Sequence, residues 1–186
     1  MRHHVPAARP SRHIEALEPR LLLSSYMVTD VSDSGPGSLR ADILMSNATP
    51  GANTITFAPG LSGTITLTSG QLEIAGDLTI IGPGAGSLAI SGNNQSRVFQ
   101  IDAGVTASIS DLTITGGRAP DGSAGVNGSF NNIDHTFVDG TPEAAGGDGG
   151  GVYNLGSVSL AGDVISGNSA GFGGDGGAGG ISPMFV

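Results

Sequence analysis

The sequence predicts an all-β fold, a right-handed parallel β-helix of about four to five turns, with a short N-terminal helix capping the first turn. Three observations predict it. From Thr54 onward, apolar residues alternate with period two in short β-branched runs: "TITF", "TITL", "LEI", "LTII", "LAI", "VFQI", "ASI" and "LTIT". Most of these runs are separated by Gly, Asn, Asp or Ser, and the two-residue Asn-Gly hairpin signal is missing between them. The runs also recur as a group. "LEIAGDLTIIG" (72–82) resembles "SISDLTITG" (108–116) and "VSLAGDVISG" (158–167), and Asp77, Asp111 and Asp163 mark the same place in each copy. Ile109 and Leu160 are 51 positions apart, as are Ile114 and Ile165. One copy alone has too little apolar surface to fold, whereas stacked copies cover one another.

The elements follow in order. Residues 1–25 form a disordered N-terminal export-type segment: the first 20 are basic and punctuated by Pro, and "LLLSS" (21–25) is too short for an ordinary secretory signal. The β-helix domain spans 26–186. Within it Ser38 caps a helix over 38–47 with apolar positions Leu39, Ile43 and Leu44, and "NATPG" (47–51) ends it. The strands then place Ile74, Ile80, Ile109, Ile114, Leu160 and either Val164 or Ile165 inward. Residues 117–148 lack periodic apolar positions and read as a loop excursion. Two glycine blocks, "GGDGGGVYN" (146–154) and "GGDGGAGGI" (173–181), start successive turns. The last turn is expected to be incomplete at "ISPMFV", where Pro183 interrupts any strand, so the isolated chain is expected to aggregate or pair end to end through the turn formed by 152–181, the alternative being a truncated product of a longer gene.

Composition narrows the function. With 33 Gly but no strict G-X-Y period, the chain is not collagen. Lys is absent, and four of the seven Arg lie in the first 20 residues, so the rest of a chain of net charge −9 is acidic. An acidic body repels phosphate backbones, which excludes nucleic acid as a partner. Without Cys there are no disulfides, thiol nucleophiles or Cys-based zinc sites. No apolar run is long enough for a transmembrane helix.

Three stretches resemble known families. "VSDSGPGSLRADILMSNATPGANTITF" (31–57) resembles the CSLREA module that opens bacterial surface β-helix proteins. Ser38, Leu39 and Arg40 match its pattern, Ala41 and Asp42 depart from it, and Gly37 stands where the Cys of the name would be. "GGGVYN…ISGNSA" (149–170) is similar to polymorphic outer-membrane protein repeats, with Ile165 and Asn168 at the Phe-x-x-Asn motif and Ile in place of Phe. "LEPRLLLS" (17–24) resembles the N-terminal segment of large exported planctomycete proteins. The resemblance implies a pectate-lyase-like solenoid in a secreted, cell-surface or outer-membrane protein, and it does not imply an enzyme.

The chemistry is weighed on that background. β-Helix lyases use several Asp or Glu around Ca²⁺ with an Arg or Lys base, and hydrolases use paired carboxylates. Asp77, Asp111 and Asp163 are the candidate acids, and Arg97 and Arg118 the candidate bases. The competing reading makes each Asp a bend residue bonded to backbone. Arg40 is expected to anchor the helix. His135, beside Asp134 and near Asp139, reads as a solvated loop residue, and His3 and His4 as a tail pair. Asp148 and Asp175 stand at the third place of their glycine blocks, not the sixth as in a calcium-binding glycine repeat. No catalytic, cofactor-binding or metal residue is therefore assigned, and no cofactor is expected. The expected function is a non-catalytic surface or extracellular protein of adhesion or envelope structure, with surface glycans or other envelope proteins as partners. The alternative is a carbohydrate-active enzyme or a degenerate fragment of one.

Overall fold

The computed structural model of the chain describes Met1 and residues 23–177, apart from 132–135 and 139. Most of the expected tail, the segment around His135, and the "ISPMFV" end lie outside the described residues. Helix α1 spans Leu39–Asn47. The strands are β1 (Ser25–Val28), β2 (Asn53–Phe57), β3 (Gly63–Thr66), β4 (Leu72–Ile74), β5 (Leu78–Ile81), β6 (Leu88–Ser91) and β7 (Phe99–Ile101). They continue with β8 (Thr106–Ser110), β9 (Thr113–Thr115), β10 (Ser129–Asn131), β11 (Thr136–Val138), β12 (Val152–Asn154), β13 (Ser157–Ala161) and β14 (Val164–Ser166).

Consecutive strands enter different sheets. Sheet A orders β1-β2-β5-β8-β13, sheet B orders β14-β9-β6-β3, and sheet C orders β12-β7-β4, all parallel. Parallel neighbours need a crossover of a dozen or more residues. Here the strands of the other two sheets supply it: Ile55 faces Ile80, Ile80 faces Ile109, and Ile65 faces Ile90, residues 25, 29 and 25 positions apart. The period-two pattern decides which side each residue takes. Ile55, Ile80 and Ile109 form one buried column, Ile65, Ile90 and Ile114 a second, and Ile74 and Ile101 a third, each residue at most 1% exposed.

The expectation of an all-β, single right-handed β-helix of four to five turns is corrected. The strands belong to three separate parallel sheets, β10 and β11 form an antiparallel ribbon apart from them, and α1 contributes to the core, so the arrangement is mostly parallel and α/β-like. The physical reason is that alternation specifies strands and their faces but not how the sheets combine, and that α1 is more than a lid. Ser38 caps α1, its side chain accepting from the Ala41 N–H at 3.3 Å. Leu39 and Ile43 are buried in the common core, whereas Leu44, expected to join them, is 62% exposed. Asn53 closes the helix end, accepting from the Ser24 N–H and donating to the Ser46 and Thr49 carbonyls.

Of the residues expected inward, Ile74, Ile80, Ile109 and Ile114 are buried, while Leu160, Val164 and Ile165 are 38%, 49% and 49% exposed. Their register is as the spacing of 51 implies, Leu160 opposite Ile109 and Ile165 opposite Ile114. Leu160 and Ile165 are exposed because β13 and β14 have a neighbour on one side only among the described residues, whereas Val164, opposite the outward-facing Thr113, is exposed because it faces out of the sheet.

The segment expected as a loop excursion carries a regular structure of its own. Residues 117–126, 141–150 and 169–177 run side by side and exchange hydrogen bonds at every third residue. The N–H groups of Ala119, Gly122 and Gly125 donate to Ser169, Phe172 and Asp175. Those of Thr141, Ala144 and Gly147 donate to Val126, Ser123 and Pro120, and Gly171 and Gly174 donate to Gly147 and Ala144. Three residues per repeat is the period of polyproline II, in which glycine allows close approach as it does in collagen. A Cβ on Gly122, Gly125, Gly171 or Gly174 would run into the carbonyl oxygen of Ala144, Thr141, Pro120 or Ser123 respectively. None of these four glycines has a positive φ, so glycine is needed here for space, not for backbone conformation.

The packing makes two measurable differences. Ile114→Ala should cost about 2–5 kcal/mol in urea unfolding, because it opens a cavity in a buried column. Ile165→Ala, on its exposed register-mate, should cost less than half as much in dilute solution; equal costs would mean the two columns are equally covered. Amide exchange should be slow at Ala119, Gly122, Gly125, Ala144, Gly147, Gly171 and Gly174, and faster at Ser123, Ala124, Gly173 and Asp175, which donate no such bond. Uniformly fast exchange over 117–126 would refute the three-residue pattern.

Candidate functional site

The three corners between the sheets separate the candidate acids and bases. Asp77 lies between β4 and β5, at the corner from sheet C to sheet A. Asp111 and Asp163 lie at the corner from A to B, while Arg97 lies at the corner from B to C and Arg118 follows β9 at the start of the 117–126 segment. The repeat alignment that put Asp77, Asp111 and Asp163 in one place is therefore corrected by the register. Ala161 pairs with Ser110, so Gly162 stands opposite Asp111, and Asp163 comes one residue later, opposite Leu112. Leu78 pairs with Ala107, so Asp77 stands opposite Thr106.

Each corner acid is tied to backbone where a bond is seen. Asp77 Oδ1 accepts from the Thr106 N–H at 2.8 Å. Asp163 Oδ1 accepts from the Leu112 N–H at 2.9 Å and its Oδ2 from the Ala161 N–H at 3.1 Å. Desolvation pushes the Asp163 carboxyl up, and the nearby Asp111 charge adds to this, against the lowering effect of the two backbone donors. Asp111 itself adopts φ 59°, a left-handed conformation that its register-mate Gly162 also takes at φ 70°.

The basic residues are engaged as well. Arg40 anchors α1 as expected: its guanidinium donates to Asp33 Oδ1 at 2.6 and 3.0 Å and to the Gly70 and Gln71 carbonyls. Desolvation raises Asp33, but hydrogen bonds from Arg40, Ser69 and Thr68 and the Arg40 charge outweigh it and hold the carboxyl down at about 2. Arg97 donates from Nε to the Asp148 carbonyl at 2.9 Å and lies 4.4 Å over the Tyr153 ring. Arg118 pairs with Asp121 at 2.7 Å and lies over Phe172 at 5.2 Å. Asp148 and Asp175 each accept through the backbone carbonyl, from Arg97 and from the Gly125 N–H. Among the described residues no three His, Asp or Glu side chains converge to hold a metal ion. Asp134, His135 and Asp139, like His3 and His4, lie outside the described residues.

Sheet C carries what the sequence reading missed. Its outward column is Glu73, Gln100 and Tyr153, brought into register from β4, β7 and β12. Gln71 Nε2 donates to Gln100 Oε1 at 2.6 Å, and Gln100 Nε2 donates to Asp102 Oδ1 at 2.9 Å. Arg97 fixes Tyr153 from the side. Beside this column, between α1 and β4, lies a groove of about 240 Å³ lined by Arg40, Ile43, Leu44, Gln71, Leu72 and Glu73. The outward columns of the other sheets are uncharged. Sheet A shows Ser25, Thr54, Thr79, Ser108 and Ser159 beside Met27, Thr56, Ile81, Ser110 and Ala161, and sheet B shows Thr66, Ser91, Thr115 and Ser166 beside Thr64, Ala89, Thr113 and Val164. The period-two rule could have assigned Glu73, Gln100 and Tyr153 to the outer face. Their alignment could not be read, because the steps between β4, β7 and β12 are unequal.

The inner side of α1 holds two unpaired groups. Asp42 and Ser46 are 7% and 1% exposed, and among the described residues Asp42 Oδ2 and Ser46 Oγ have no hydrogen-bond partner. Desolvation pushes the Asp42 carboxyl up.

No family model, no curated protein and no solved structure matches this chain. Among the described residues no helix is long and apolar enough to cross a membrane.

A pH dependence follows from Asp42. The folded chain holds the Asp42 proton more tightly than the unfolded chain does. That stabilisation is present at low pH and is lost as pH rises through the raised folded pKa. Asp42→Asn should therefore gain stability relative to the parent above pH 4, by about 1 kcal/mol at neutral pH. Parallel stability–pH curves for the two proteins would show that Asp42 ionises freely.

Proposed function

We propose that the chain is a non-catalytic cell-surface or extracellular module of adhesion or envelope structure, and that it holds neutral surface glycans along sheet C. The observation that carries this reading is the contrast between its corners and its faces. The candidate acids Asp77, Asp111 and Asp163 sit at two corners, with Asp77 and Asp163 bonded to backbone, whereas sheet C presents the Glu73 carboxylate, the Gln100 amide and the Tyr153 phenol in one column. Adjacent strands set a repeat of about 4.8 Å along that column. Amides and carboxylates in such a row offer alternating donors and acceptors to sugar hydroxyls. Acidic polymers fit less well, since Glu73 stands in the column, Asp102 beside it, and the chain carries a net charge of −9. The exported setting is supported by the resemblance of residues 17–24, 31–57 and 149–170 to surface-protein segments.

Binding to insoluble neutral polysaccharides tests the proposal. Gln100→Ala and Tyr153→Ala should each weaken retention about tenfold, the loss of one or two polar contacts, with no reducing ends released by the parent protein. Retention unchanged in both variants would remove sheet C from the reading. Sugar release that disappears in Asp163→Asn would remove its non-catalytic part.

A further inference from the structure

Arg40 and Gln71 both line the groove between α1 and β4, and both direct their donors into the chain. A guanidinium has five N–H groups. Four hydrogen bonds tie that of Arg40 to Asp33 and to the Gly70 and Gln71 carbonyls. Gln71 is held by a relay that starts at Asp102, just past the end of β7. A carboxylate accepts hydrogen bonds and donates none. Asp102 Oδ1, 2.9 Å from the Gln100 amide, must therefore meet its Nε2, so Gln100 turns its Oε1 the other way. That oxygen lies 2.6 Å from the Gln71 amide and must meet Gln71 Nε2. Gln71 Oε1 is then the amide atom left without a partner among the described residues. One carboxylate fixes the sense of two amides, across β7 and β4.

The groove accordingly offers acceptors to a ligand. Gln71 Oε1 is one. Glu73 is exposed, and among the described residues its carboxylate makes neither a hydrogen bond nor an ion pair. The two residues stand two apart, on the same side of the strand. Facing them is an apolar wall of Ile43, Leu44 and Leu72, with Leu44 62% exposed. At about 240 Å³ the groove is smaller than the roughly 300–1,000 Å³ that drug-sized ligands occupy, and it suits a single ring. An unpaired carboxylate and a fixed amide oxygen beside an apolar wall complement a group that donates, accepts nothing and is positively charged. A chain of net charge −9 attracts such a group.

We propose that the groove between α1 and β4 binds a protonated primary amine carried on a sugar ring, so that the glycan held along sheet C has an amino sugar at its β4 end. This rests on the reading of sheet C as the glycan-holding face. The ammonium donates to the Glu73 carboxylate and to Gln71 Oε1, and the ring lies against Leu44. Asp102 is a positioning residue: it acts through Gln100, which keeps the Gln71 amide in the sense the amine needs.

Retention of the full chain on an insoluble polymer of N-acetylglucosamine, and on the same polymer after N-deacetylation, tests the proposal. Low salt is used, at a pH where the amine is protonated and Glu73 ionised. The parent should be held about tenfold more strongly by the free-amine form, the effect of one charged hydrogen bond. Glu73→Gln should lose most of that preference. Asp102→Asn introduces a donor that lets both amides turn over, so it should lower the preference about threefold at an unchanged thermal midpoint. Glu143→Gln removes one charge from an exposed position elsewhere and should keep the preference. A preference that survives in Glu73→Gln, falls as far in Glu143→Gln, or is untouched in Asp102→Asn overturns the proposal. Equal retention on the two forms, or retention on neutral polysaccharides alone, overturns the amine site and leaves the reading of sheet C standing; retention on none of them overturns both.

Discussion

Hydrogen bonding between strands 24 to 29 residues apart is the constraint on which the first four layers depend. Strands of three to five residues bury nothing by themselves, and apart from β1 and β2, which are joined through α1, they contact their partners only after the chain has passed through both other sheets. Each layer therefore exists only on a neighbour. This explains why the core is a set of columns, Ile on Ile, and why a polar residue at one inward position would break a column as well as a contact. It also explains why the corners are conservative in chemistry. A corner must satisfy its own N–H groups while reversing direction, and Asp77, Asp163 and Asn168 do this by reaching to the backbone of a neighbouring layer.

That constraint changes how the acids are read. Asp77, Asp111 and Asp163 look alike in sequence because each follows a small residue and precedes a strand. In the fold they hold two kinds of place. Asp77 and Asp163 accept backbone N–H groups, and Asp111 occupies a left-handed position that glycine fills in the last layer. The one-residue slip between copies is enough to separate Asp111 from Asp163 in register, and the corner from C to A is enough to separate Asp77 from both.

Strand positions are legible because alternation is local. All eight runs from "TITF" to "LTIT" fall on β2 to β9, and the spacing of 51 alone identifies the partners of Leu160 and Ile165. Two things are hidden for physical reasons. Strand β1 has one alternating stretch, "SYMV", adjoining a tail, and its pairing with β2 is a distant contact that no local pattern reports. The glycine segments are hidden by the wrong ruler. Tested against a strict G-X-Y repeat over the whole chain, the glycines fail. Within 171–177 and 122–125 they recur every third residue, and Ala119 and Ala144 continue that spacing as small residues. Period three over windows of nine or ten residues picks out these segments, whereas apolar periodicity leaves them as a loop. The Glu73, Gln100 and Tyr153 column is half legible: the outward face can be read, the alignment cannot.

The two kinds of packing divide the work of the molecule. The sheets are held by apolar columns and leave uncharged outer faces on A and B, hydroxyls mixed with Met27, Ile81 and Val164, so charge is displaced to corners and to sheet C. The extended segments have almost no apolar side chains to bury and are held by backbone bonds and by the absence of Cβ atoms. A structure of the second kind has little hydrophobic stabilisation of its own, and it borrows rigidity from the layers at its base, where Gly117 donates to Asn168 and Val98 to Gly150. A defect in the last sheet layer would therefore be felt along 169–177 as well.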